Sequence, residues 1–369
     1  MRIEQVTGRR QRRAYTLLPY RLRRNDPEWV PPLLLDEWRT FSSRNPATRY
    51  CDHARWLARD DRGKTIGRIA AIVNHRYNEL RGERFGRFAE LECPDDTRVA
   101  AALLDAACNW ARDRGMDRVL GPMAFTDQDP EGFLIEGFHE RASIATYQNP
   151  AYIPQIMDRL GWEKHTDYVV YRVPVPEVLP RSYQVAQRRL RGTAYELLEF
   201  GRRAELKPLV RPILRLMNET FTEIEGFAPL DDVEIDDLAK RYLPVVDPRF
   251  VKAVRDSKGL AGFVIGIPDL TEGLKKSRGR LLPFGWWWLL RAPRKAKRID
   301  LLLGGIRSDV RGRGVDVLMG TAFMANARNA GFEYLDSHHE LESNRGVRGE
   351  MEAMGGVVYK RLRIYRKLL

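Results

Sequence analysis

The sequence predicts an α/β protein built from two copies of one fold, each a mixed and mostly antiparallel sheet flanked by helices. One observation is a strand, turn and helix unit late in the chain. Residues 299–306 form a short apolar run, and beyond a turn at 311–314 apolar residues recur every three or four positions up to Gly331. A second observation is a repeat, because the pattern of residues 157–172 recurs without a gap at 351–366. Together they indicate a duplicated fold.

The first half has the clearer hairpin and helix signals. Residues 53–60 and 65–74 predict the two strands of a β-hairpin, because the segment Asp61-Arg62-Gly63-Lys64 that joins them is a turn signal. Residues 97–114 predict a long helix capped by Asp95 or Asp96. The proline-rich segment 174–180 predicts a stiff linker. We therefore place the first domain at 1–175 and the second at 181–369.

The second half follows the same order of elements. It predicts a helix at about 206–221, the strand at 299–306, the helix that ends near Gly331, a strand at 334–342 and a last pair of strands within 357–367. Two insertions interrupt the repeat. One lies in the first half at 121–150, and the other, at 273–298, directly precedes the strand at 299–306.

Composition indicates a globular protein of two domains with 369 residues, 43% of them hydrophobic and 31% charged. No apolar run reaches the roughly 18 residues of a membrane span, and the first residues lack the apolar core of a signal peptide. We therefore expect a cytoplasmic protein. Cys51, Cys93 and Cys108 have no CxxC spacing, so the sequence predicts neither a disulfide framework nor a zinc site.

The formal charge of +13 is concentrated in two segments. Residues 1–24 contain eight Arg and one Glu, and residues 273–298 contain nine Lys or Arg and no acid. A basic chain raises the question of nucleic-acid binding, but no helix-turn-helix, zinc or RNA-binding signature is present. Nucleic acid is therefore an unlikely partner by this reasoning.

The junction between strand and helix at 306–315 predicts an anion site. The first turn of a helix leaves N–H groups without partners, and the helix dipole adds to their attraction for phosphate. Glycine at 312 and 314 lets a ligand approach the backbone, while arginine at 311 and 313 adds positive charge. A plain glycine turn remains the alternative. The predicted ligand-binding residues are Ile306, Arg311, Gly312, Arg313, Gly314 and Val315.

The segment Arg311-Gly312-Arg313-Gly314-Val315-Asp316 resembles the pyrophosphate loop of GNAT acyltransferases, Gln/Arg-x-x-Gly-x-Gly/Ala. The resemblance implies that the second half binds coenzyme A, although Asp316 stands where Gly or Ala is usual. In the first half Cys93-Pro94-Asp95-Asp96 occupies the corresponding place. An acidic pair repels phosphate, so we expect no coenzyme A in the first half.

Further motifs extend the resemblance over both halves. They are residues 25–32 (NDPEWVPP), 121–125 (GPMAF), 135–138 (IEGF), 149–152 (NPAY) and the closing Tyr365-Arg366. With the glycine loop they look like the tandem GNAT family that includes bacterial ceramide synthases. The resemblance implies acyl transfer from an acyl-CoA thioester to the amine of a sphingoid base. Residues 128–131 (QDPE) and Gln148 depart from the family pattern.

Amide formation from a thioester needs a base for the amine and an acid for the leaving thiolate. On the predicted strand at 334–342, His338 and Glu342 share one face with Glu340, and Asn344 follows. We select Glu342, His338 and Asn344 as catalytic candidates, the alternative being a solvated strand end with Asn344 as a helix cap. Adjacent histidines also suggest metal, but no third ligand has suitable spacing, so we predict no metal.

Tyr359 is the fourth catalytic candidate, because the GNAT resemblance implies a tyrosine there that protonates the thiolate. It can equally be a core aromatic of the strand. For the acceptor amine the candidates are Asn218 and Glu219 on the helix at 206–221, and Asp129 and Asn149 in the first-half insertion. An exposed helix face is the alternative for the helical pair.

The insert at 273–298 (GLKKSRGRLLPFGWWWLLRAPRKAKR) predicts peripheral membrane binding. Its apolar centre is too short to span a bilayer of about 30 Å, but Trp286, Trp287 and Trp288 suit the interface and the flanking cations suit anionic lipid. Pro283 and Gly285 argue against a regular element. The alternative is a loop folded onto its own core or onto a partner.

The leading hypothesis is therefore an acyl-CoA-dependent N-acyltransferase that acylates a sphingoid-type long-chain amine. It would act in the cytoplasm or on the inner face of the membrane. Two alternatives are a GNAT acetyltransferase for a small amine or protein, and a non-catalytic module that binds acyl-CoA or lipid.

Overall fold

The fold was derived from a computed structural model, which describes residues 1–143, 146–190, 192–222 and 224–369. The strands are β1 (Arg2–Gln5), β2 (Cys51–Arg59), β3 (Thr65–Asn74), β4 (Phe85–Glu92), β5 (Arg118–Gly121), β6 (Phe133–Glu136), β7 (Glu163–Pro174), β8 (Glu196–Glu199), β9 (Val251–Asp256), β10 (Gly259–Pro268), β11 (Arg298–Ile306), β12 (Tyr334–Asp336), β13 (Glu340–Leu341) and β14 (Val357–Leu368). The helices are α1 (Arg9–Leu22), α2 (Leu34–Thr40), α3 (His75–Arg81), α4 (Thr97–Arg112), α5 (Tyr152–Arg159), α6 (Arg181–Leu190), α7 (Arg203–Thr220), α8 (Asp232–Tyr242), α9 (Thr271–Ser277), α10 (Gly285–Arg291), α11 (Val315–Asn329) and α12 (Arg345–Ala353).

The chain forms two compact units that differ from the predicted division at 175 to 181. Unit 1 comprises Met1–Val169, Thr271–Arg291 and Tyr359–Leu369, and unit 2 comprises Val170–Leu270 and Ala292–Val358. The end of β14 belongs to unit 1 because it pairs with β5 and β6. Helices α9 and α10 also belong to unit 1, where the Leu34 N–H donates to the Gly279 carbonyl oxygen at 2.8 Å.

In unit 1 the strands lie in the order β1, β2, β3, β4, β5 and β14, and β6 pairs with β14. Only β4 and β5 are parallel among these pairs. Strand β3 is buried on both faces: Ile69 and Ala71 pack under α4, whereas Ala70 and Ile72 pack with Tyr15 of α1. The predicted hairpin and the predicted long helix are both confirmed, and the side chain of Asp96 caps α4.

In unit 2 the strands lie in the order β7, β12, β11, β10, β9 and β8. Strands β11 and β12 are parallel, and the other pairs are antiparallel. Helix α7 packs on one face, where Met217 meets Phe263, and α11 packs on the other, where Val315 and Met319 meet Ala261. The predicted strand, turn and helix unit is confirmed as β11 and α11.

The prediction of one continuous strand at 334–342 is wrong. Strand β12 ends at Asp336, and β13 contains only Glu340 and Leu341. The chain turns between them because His338 adopts a positive φ of 60°, with its N–H donating to the buried Asp336 carboxylate at 2.8 Å. His338, Glu340 and Glu342 therefore do not share one face of a strand.

The expectation of an irregular insert is also wrong, because 273–298 contains most of α9 and all of α10. Pro283 lies in the turn before α10 and does not interrupt it. Gly285 begins the helix against the backbone of Arg280, since a Cβ at Gly285 would lie 1.6 Å from the Arg280 carbonyl oxygen. Within the described ranges no helix is long and apolar enough to cross a membrane.

Candidate functional site

The glycine loop of unit 2 joins β11 to α11. After a single 3₁₀ turn at Ser308–Val310, Gly312 and Gly314 both adopt the left-handed conformation, with φ of 71° and 87°. Residues with side chains rarely adopt this conformation, which explains glycine at both positions. Gly314 is the residue that precedes the first turn of α11.

The loop presents backbone donors that have no partner among the described residues. The N–H groups of Val315 and Asp316 lie in the first turn of α11, where the helix itself supplies no acceptor, and no described residue accepts from them. The exposed guanidinium of Arg313 makes no ion pair with a described residue. Arg311 instead donates from Nε to the Ile306 carbonyl oxygen at 3.2 Å and holds the loop. The side chain of Val315 is buried in the core, so only its backbone faces a ligand.

The neighbouring Arg307 is not available to a ligand. Its guanidinium lies 2.5 Å from Asp256 and 2.6 Å from Asp309. These bonds hold the pKa of Asp309 below its usual range, with a further contribution from Lys258. The positive charge near the loop therefore comes from Arg313, from the helix N-terminus and from Arg311, whose exposed guanidinium keeps its charge while Nε bonds to a carbonyl oxygen.

Strand β11 has an open edge beside the loop. It pairs with β12 only from Arg298 to Asp300, so residues 301–306 have a ladder partner on the β10 side alone. A bulge at Leu302 lies where the two strands separate, because Ile265 faces Leu303 while Gly266 faces Leu301. Leu301, Leu302 and Leu303 are half-exposed. An extended ligand that contains amides can pair with such an edge.

Carboxyl groups and histidines follow β12 in the same unit. Burial and the nearby Glu350 raise the pKa of Glu340 to about 8. A carboxyl group with this pKa exchanges its proton near neutral pH and suits acid and base chemistry. The rings of His338 and His339 lie 4.7 Å apart. Reasoning from sequence did not select Glu340, because its burial beside Glu350 depends on how α12 packs.

The other two predicted residues of this segment have visible structural roles. Asn344 accepts the Val347 N–H at 3.3 Å and caps α12, which was the alternative interpretation. The backbone carbonyl oxygen of Glu342 accepts from Arg348 at 2.8 Å. Burial raises the pKa of the Tyr183 hydroxyl in α6, with smaller contributions from the nearby charges of Glu350 and Asp316.

Two of the candidate acceptor residues lie in unit 2 and the other two in unit 1. In unit 2 the Asn218 amide bonds at both ends to the Leu230 backbone, each at 2.9 Å, and Glu219 is exposed. In unit 1 Asp129 accepts the N–H groups of Phe125 and Thr126, and the buried Asn149 amide bonds to both backbone groups of Leu134. These bonds favour structural roles for the three amide and carboxylate groups. Tyr359 lies in unit 1, where the Lys360 ammonium lies 4.7 Å from its ring centre.

Known proteins resemble the chain over nearly its whole length. It is 28% identical over 374 residues to a bacterial ceramide synthase of Caulobacter vibrioides, which covers 97% of this chain and 94% of that protein. It is 25% identical over 366 residues to Protein YghO of Escherichia coli K12, covering 96% and 92%. No protein-family model matches the chain.

Among solved structures, a tandem GNAT protein from the clavulanic acid biosynthesis pathway superposes with a TM-score of 0.57 at 12% identity, covering 100% of this chain and 98% of that one. A probable N-acyltransferase of Enterococcus faecalis V583 superposes with a TM-score of 0.53 at 8% identity, covering 100% and 72%. The fold is that of a tandem GNAT protein. The predicted fold and the predicted enzyme class, an N-acyltransferase, are thus confirmed.

In the first GNAT-like unit the protein itself supplies acceptors and donors at the corresponding turn and strand edge. The Asp96 carboxylate accepts the Arg98 N–H at 2.9 Å and takes the place of an anion at the start of α4. The edge of β4 is also filled by the protein itself. The Met123 N–H donates to the Phe88 carbonyl oxygen at 2.8 Å, and the Glu90 N–H donates to the Tyr147 hydroxyl at 3.1 Å.

Proposed function

We propose that the protein transfers an acyl group from acyl-CoA to the amine of a sphingoid-type long-chain base, with one acyl-CoA site, in unit 2. The observation that carries the proposal is the glycine loop beside an open strand edge, where the first N–H groups of α11 and the Arg313 guanidinium have no partner among the described residues. The similarity to a bacterial ceramide synthase over 97% of the chain supports the choice of acceptor.

Coenzyme A fits the groups that are available in unit 2. Its diphosphate is an anion for the Val315 and Asp316 N–H groups and for the Arg313 guanidinium. Its pantetheine arm contains two amides, which suit the open edge of β11 from Leu301 to Gly305. The half-exposed leucines of that strand suit the methylene groups between the amides.

The bound thioester supplies an activated acyl carbon. The protein has to accept one proton and donate another during the transfer. As the amine nitrogen bonds to the acyl carbon and the carbon–sulfur bond breaks, one proton leaves nitrogen and another reaches the thiolate. Glu340, His338 and Glu342 are our candidates for the first proton, and Tyr359 for the second. Cys51, Cys93 and Cys108 are all buried, and burial raises the pKa of Cys93 to about 12 and of Cys108 to about 11. We therefore propose direct transfer without an acylated cysteine.

The surface of α10 supports a peripheral position on an anionic membrane. Its neighbourhood exposes Leu282 by 79%, Phe284 by 72% and Leu290 by 67%, a combination that is unusual on a soluble surface. Trp286 is also exposed, whereas Trp287 and Trp288 are half-buried. Basic residues lie close to this segment in the sequence, at Lys275, Lys276, Arg278, Arg280 and Arg291, and the cations of Lys276 and Arg291 lie over the rings of Trp288 and Trp287.

Helix α2 of the same unit adds to this apolar surface. Leu35 is 63% exposed and Trp38 is 41% exposed. The helix begins at Leu34, whose N–H bonds to Gly279 in the turn after α9. The Lys275 ammonium, in addition, donates to the Pro27 carbonyl oxygen ahead of α2. We propose that α2 and α10 contact the inner face of the membrane together.

The function is tested by incubating the full chain with acetyl-CoA or palmitoyl-CoA, with and without sphinganine, and analysing products by mass spectrometry. We expect N-palmitoylsphinganine, release of free coenzyme A only when the amine is present, and no acyl adduct on the protein. Acetylation of a small amine alone would favour the acetyltransferase alternative. Binding of acyl-CoA without any transfer would favour a non-catalytic module.

A further inference from the structure

The first two turns of α1 in unit 1 carry four arginines in two pairs. Arg9 lies three residues before Arg12, and Arg10 lies three residues before Arg13, so the members of each pair are neighbours on the helix surface. The two pairs point in directions about 100° apart. All four side chains are exposed, and none forms an ion pair with a described residue. The first turn contains no acidic residue. Like charges this close destabilise a helix, so these arginines do not serve the stability of α1.

The guanidinium of Arg55 in β2 adds a cation near the first of these pairs. It stacks 4.7 Å from the ring centre of Phe41 and 5.3 Å from that of Tyr15, which holds it in place. Burial lowers the pKa of Arg55, and the nearby charges of Arg12 and Arg68 lower it further. Arg55 has no ion-pair partner among the described residues. The face of α1 that carries Arg12 thus lies beside a fixed guanidinium.

The carboxylates in this region are occupied by other residues. Glu4 lies 2.5 Å from an arginine at the end of β2. Asp52 lies 3.2 Å from the histidine that begins α3, on the face of β2 opposite to Arg55. Glu90 favours the charged form of Arg55, but its carboxylate lies 3.3 Å from an arginine of β3. The described part of the chain therefore leaves this basic surface without a carboxylate paired to it.

Helix α2 connects the basic surface with the apolar surface near α10. At its start α2 bonds to the turn after α9. Phe41 follows its last residue and carries the Arg55 guanidinium on its ring. In between, Leu35 and Trp38 are exposed and lie three residues apart on one face. The 7 residues of α2 span about 10 Å, so the exposed apolar side chains and the cations lie close together.

We propose that Arg9, Arg12 and Arg55 bind lipid phosphate groups and fix how unit 1 is oriented on an anionic membrane. A guanidinium group pairs with phosphate through two parallel N–H bonds. A bilayer presents phosphates next to an apolar layer, which matches cations beside the exposed apolar side chains of α2. A nucleic acid duplex presents phosphates without such a layer. The inference rests on the membrane contact proposed for α2 and α10.

Flotation of the full chain with mixed phosphatidylglycerol and phosphatidylcholine vesicles at physiological salt tests the proposal. Replacing Arg9 and Arg12 with Gln should raise the lipid concentration for half-maximal flotation at least about tenfold, because two cations leave the lipid surface. Replacing Arg10 and Arg13 with Gln is the matched control, with the same change of net charge on the other side of α1. It should stay within about twofold of the parent, because salt screens charges beyond about 8 Å.

A nitroxide label gives a second readout that does not depend on net charge. Attached at Arg9→Cys, it should lose access to an aqueous relaxation agent when vesicles bind. Attached at Asp105→Cys, on the helix α4 that covers the opposite face of the sheet, it should stay in water. Both labels are selective because the native cysteines are buried.

The outcomes separate this inference from the proposed function. A parent chain that does not float would overturn the membrane contact of α2 and α10 together with the inference. A parent that floats, with equal losses in the two arginine double variants or with a water-exposed label at Arg9→Cys, would overturn the arginine assignment alone. Tighter binding of transfer RNA than of vesicles at the same salt concentration would also overturn it, because the partner would then be nucleic acid.

Discussion

Leu190, the last residue of α6, packs directly against Gly314 at the start of α11. A Cβ at Gly314 would lie 2.8 Å from Cδ1 of Leu190, closer than real Cβ contacts. Glycine at this position therefore serves two purposes. It allows the left-handed turn that exposes the helix N-terminus, and it leaves room for α6. A substitution at Gly314 disturbs both the turn and the contact with α6. A test of the anion site therefore also needs a residue whose replacement leaves the turn and α6 unchanged.

Arg313 is that residue, and Arg313→Glu should weaken coenzyme A binding at least tenfold. The substitution replaces a guanidinium that has no described ion-pair partner with a charge that repels a diphosphate. Calorimetry with coenzyme A should show one site in the parent chain. Asp95→Ala, at the corresponding turn of unit 1, is the matched control and should leave the affinity unchanged.

A second pair of variants separates the two roles of Gly314. Gly314→Asp should abolish coenzyme A binding, and the double variant with Leu190→Ala should also fail to bind, because relief of the contact leaves the added carboxylate in place. Recovery of binding in the double variant would show that Gly314→Asp loses coenzyme A through a clash with α6 and not through the added charge. Two sites per chain, or unchanged affinity in Arg313→Glu, would refute the assignment of the loop.

Glu340 should make the stability of the protein depend on pH between about 5 and 8. Its pKa is raised from 4.5 to about 8, so between these values the folded state holds a proton that the unfolded state has released. The free energy of unfolding should therefore fall as the pH rises from about 5 to 8 and then level off. Glu340→Gln should remove this part of the pH dependence, as measured by urea unfolding at a series of pH values.

The same residue should set the pH dependence of turnover if it accepts the amine proton. The parent rate should rise with a midpoint near pH 8, and Glu340→Gln should lower kcat at least tenfold and flatten the profile. Glu342→Gln, two residues along the chain, is the comparison. A pH profile of turnover that is unchanged in Glu340→Gln and flattened in Glu342→Gln would identify Glu342 as the base.

Asn149→Ala should affect stability and leave catalysis by the folded protein intact. The Asn149 amide bonds to the N–H of Leu134 at 2.7 Å and to its carbonyl oxygen at 3.1 Å, and both residues are buried. Loss of the amide leaves these backbone groups unsatisfied, which costs about 2 kcal/mol in free energy of unfolding. An unchanged unfolding midpoint with a raised KM for the amine would instead support the predicted role in substrate binding.

The regular elements could be predicted because their signals are local. The turn between β2 and β3, the cap at Asp96 and the glycines before α11 each act within a few residues. The irregular features depended on contacts between distant segments. The turn at His338 forms because the buried Asp336 accepts its N–H, and α10 can start at Gly285 because that residue has no side chain to meet Arg280.

The candidate site likewise contains one part that local sequence signals reveal and another that depends on contacts between distant segments. The glycine loop is a continuous segment that the sequence shows directly, whereas the raised pKa of Glu340 arises from burial beside Glu350. That arrangement does not follow from spacing along the chain. Asn218 and Asn149 were selected for their chemistry, but local loops already use their amides.

The exposed apolar residues near α10 should determine membrane binding, rather than the tryptophans as a group. Replacing Leu282, Phe284 and Leu290 with Ser should abolish flotation with phosphatidylglycerol vesicles, while the thermal midpoint stays unchanged because these side chains are exposed. Replacing Trp287 and Trp288 should lower the midpoint instead. Both rings are half-buried, lie 4.6 Å apart and contact the cations of Arg291 and Lys276.

The role of charge in this binding is tested by salt and by lipid. Each basic residue near an anionic surface contributes roughly 1 kcal/mol, so flotation should weaken between low and physiological salt and should be absent with phosphatidylcholine vesicles. Leu35→Ser with Trp38→Ser tests the contribution of α2 and should reduce flotation partially. If the Leu282, Phe284 and Leu290 variant floats like the parent and acylates sphinganine in vesicles at the same rate, the α10 surface does not contact membrane. The acceptor would then have to reach the enzyme by another route.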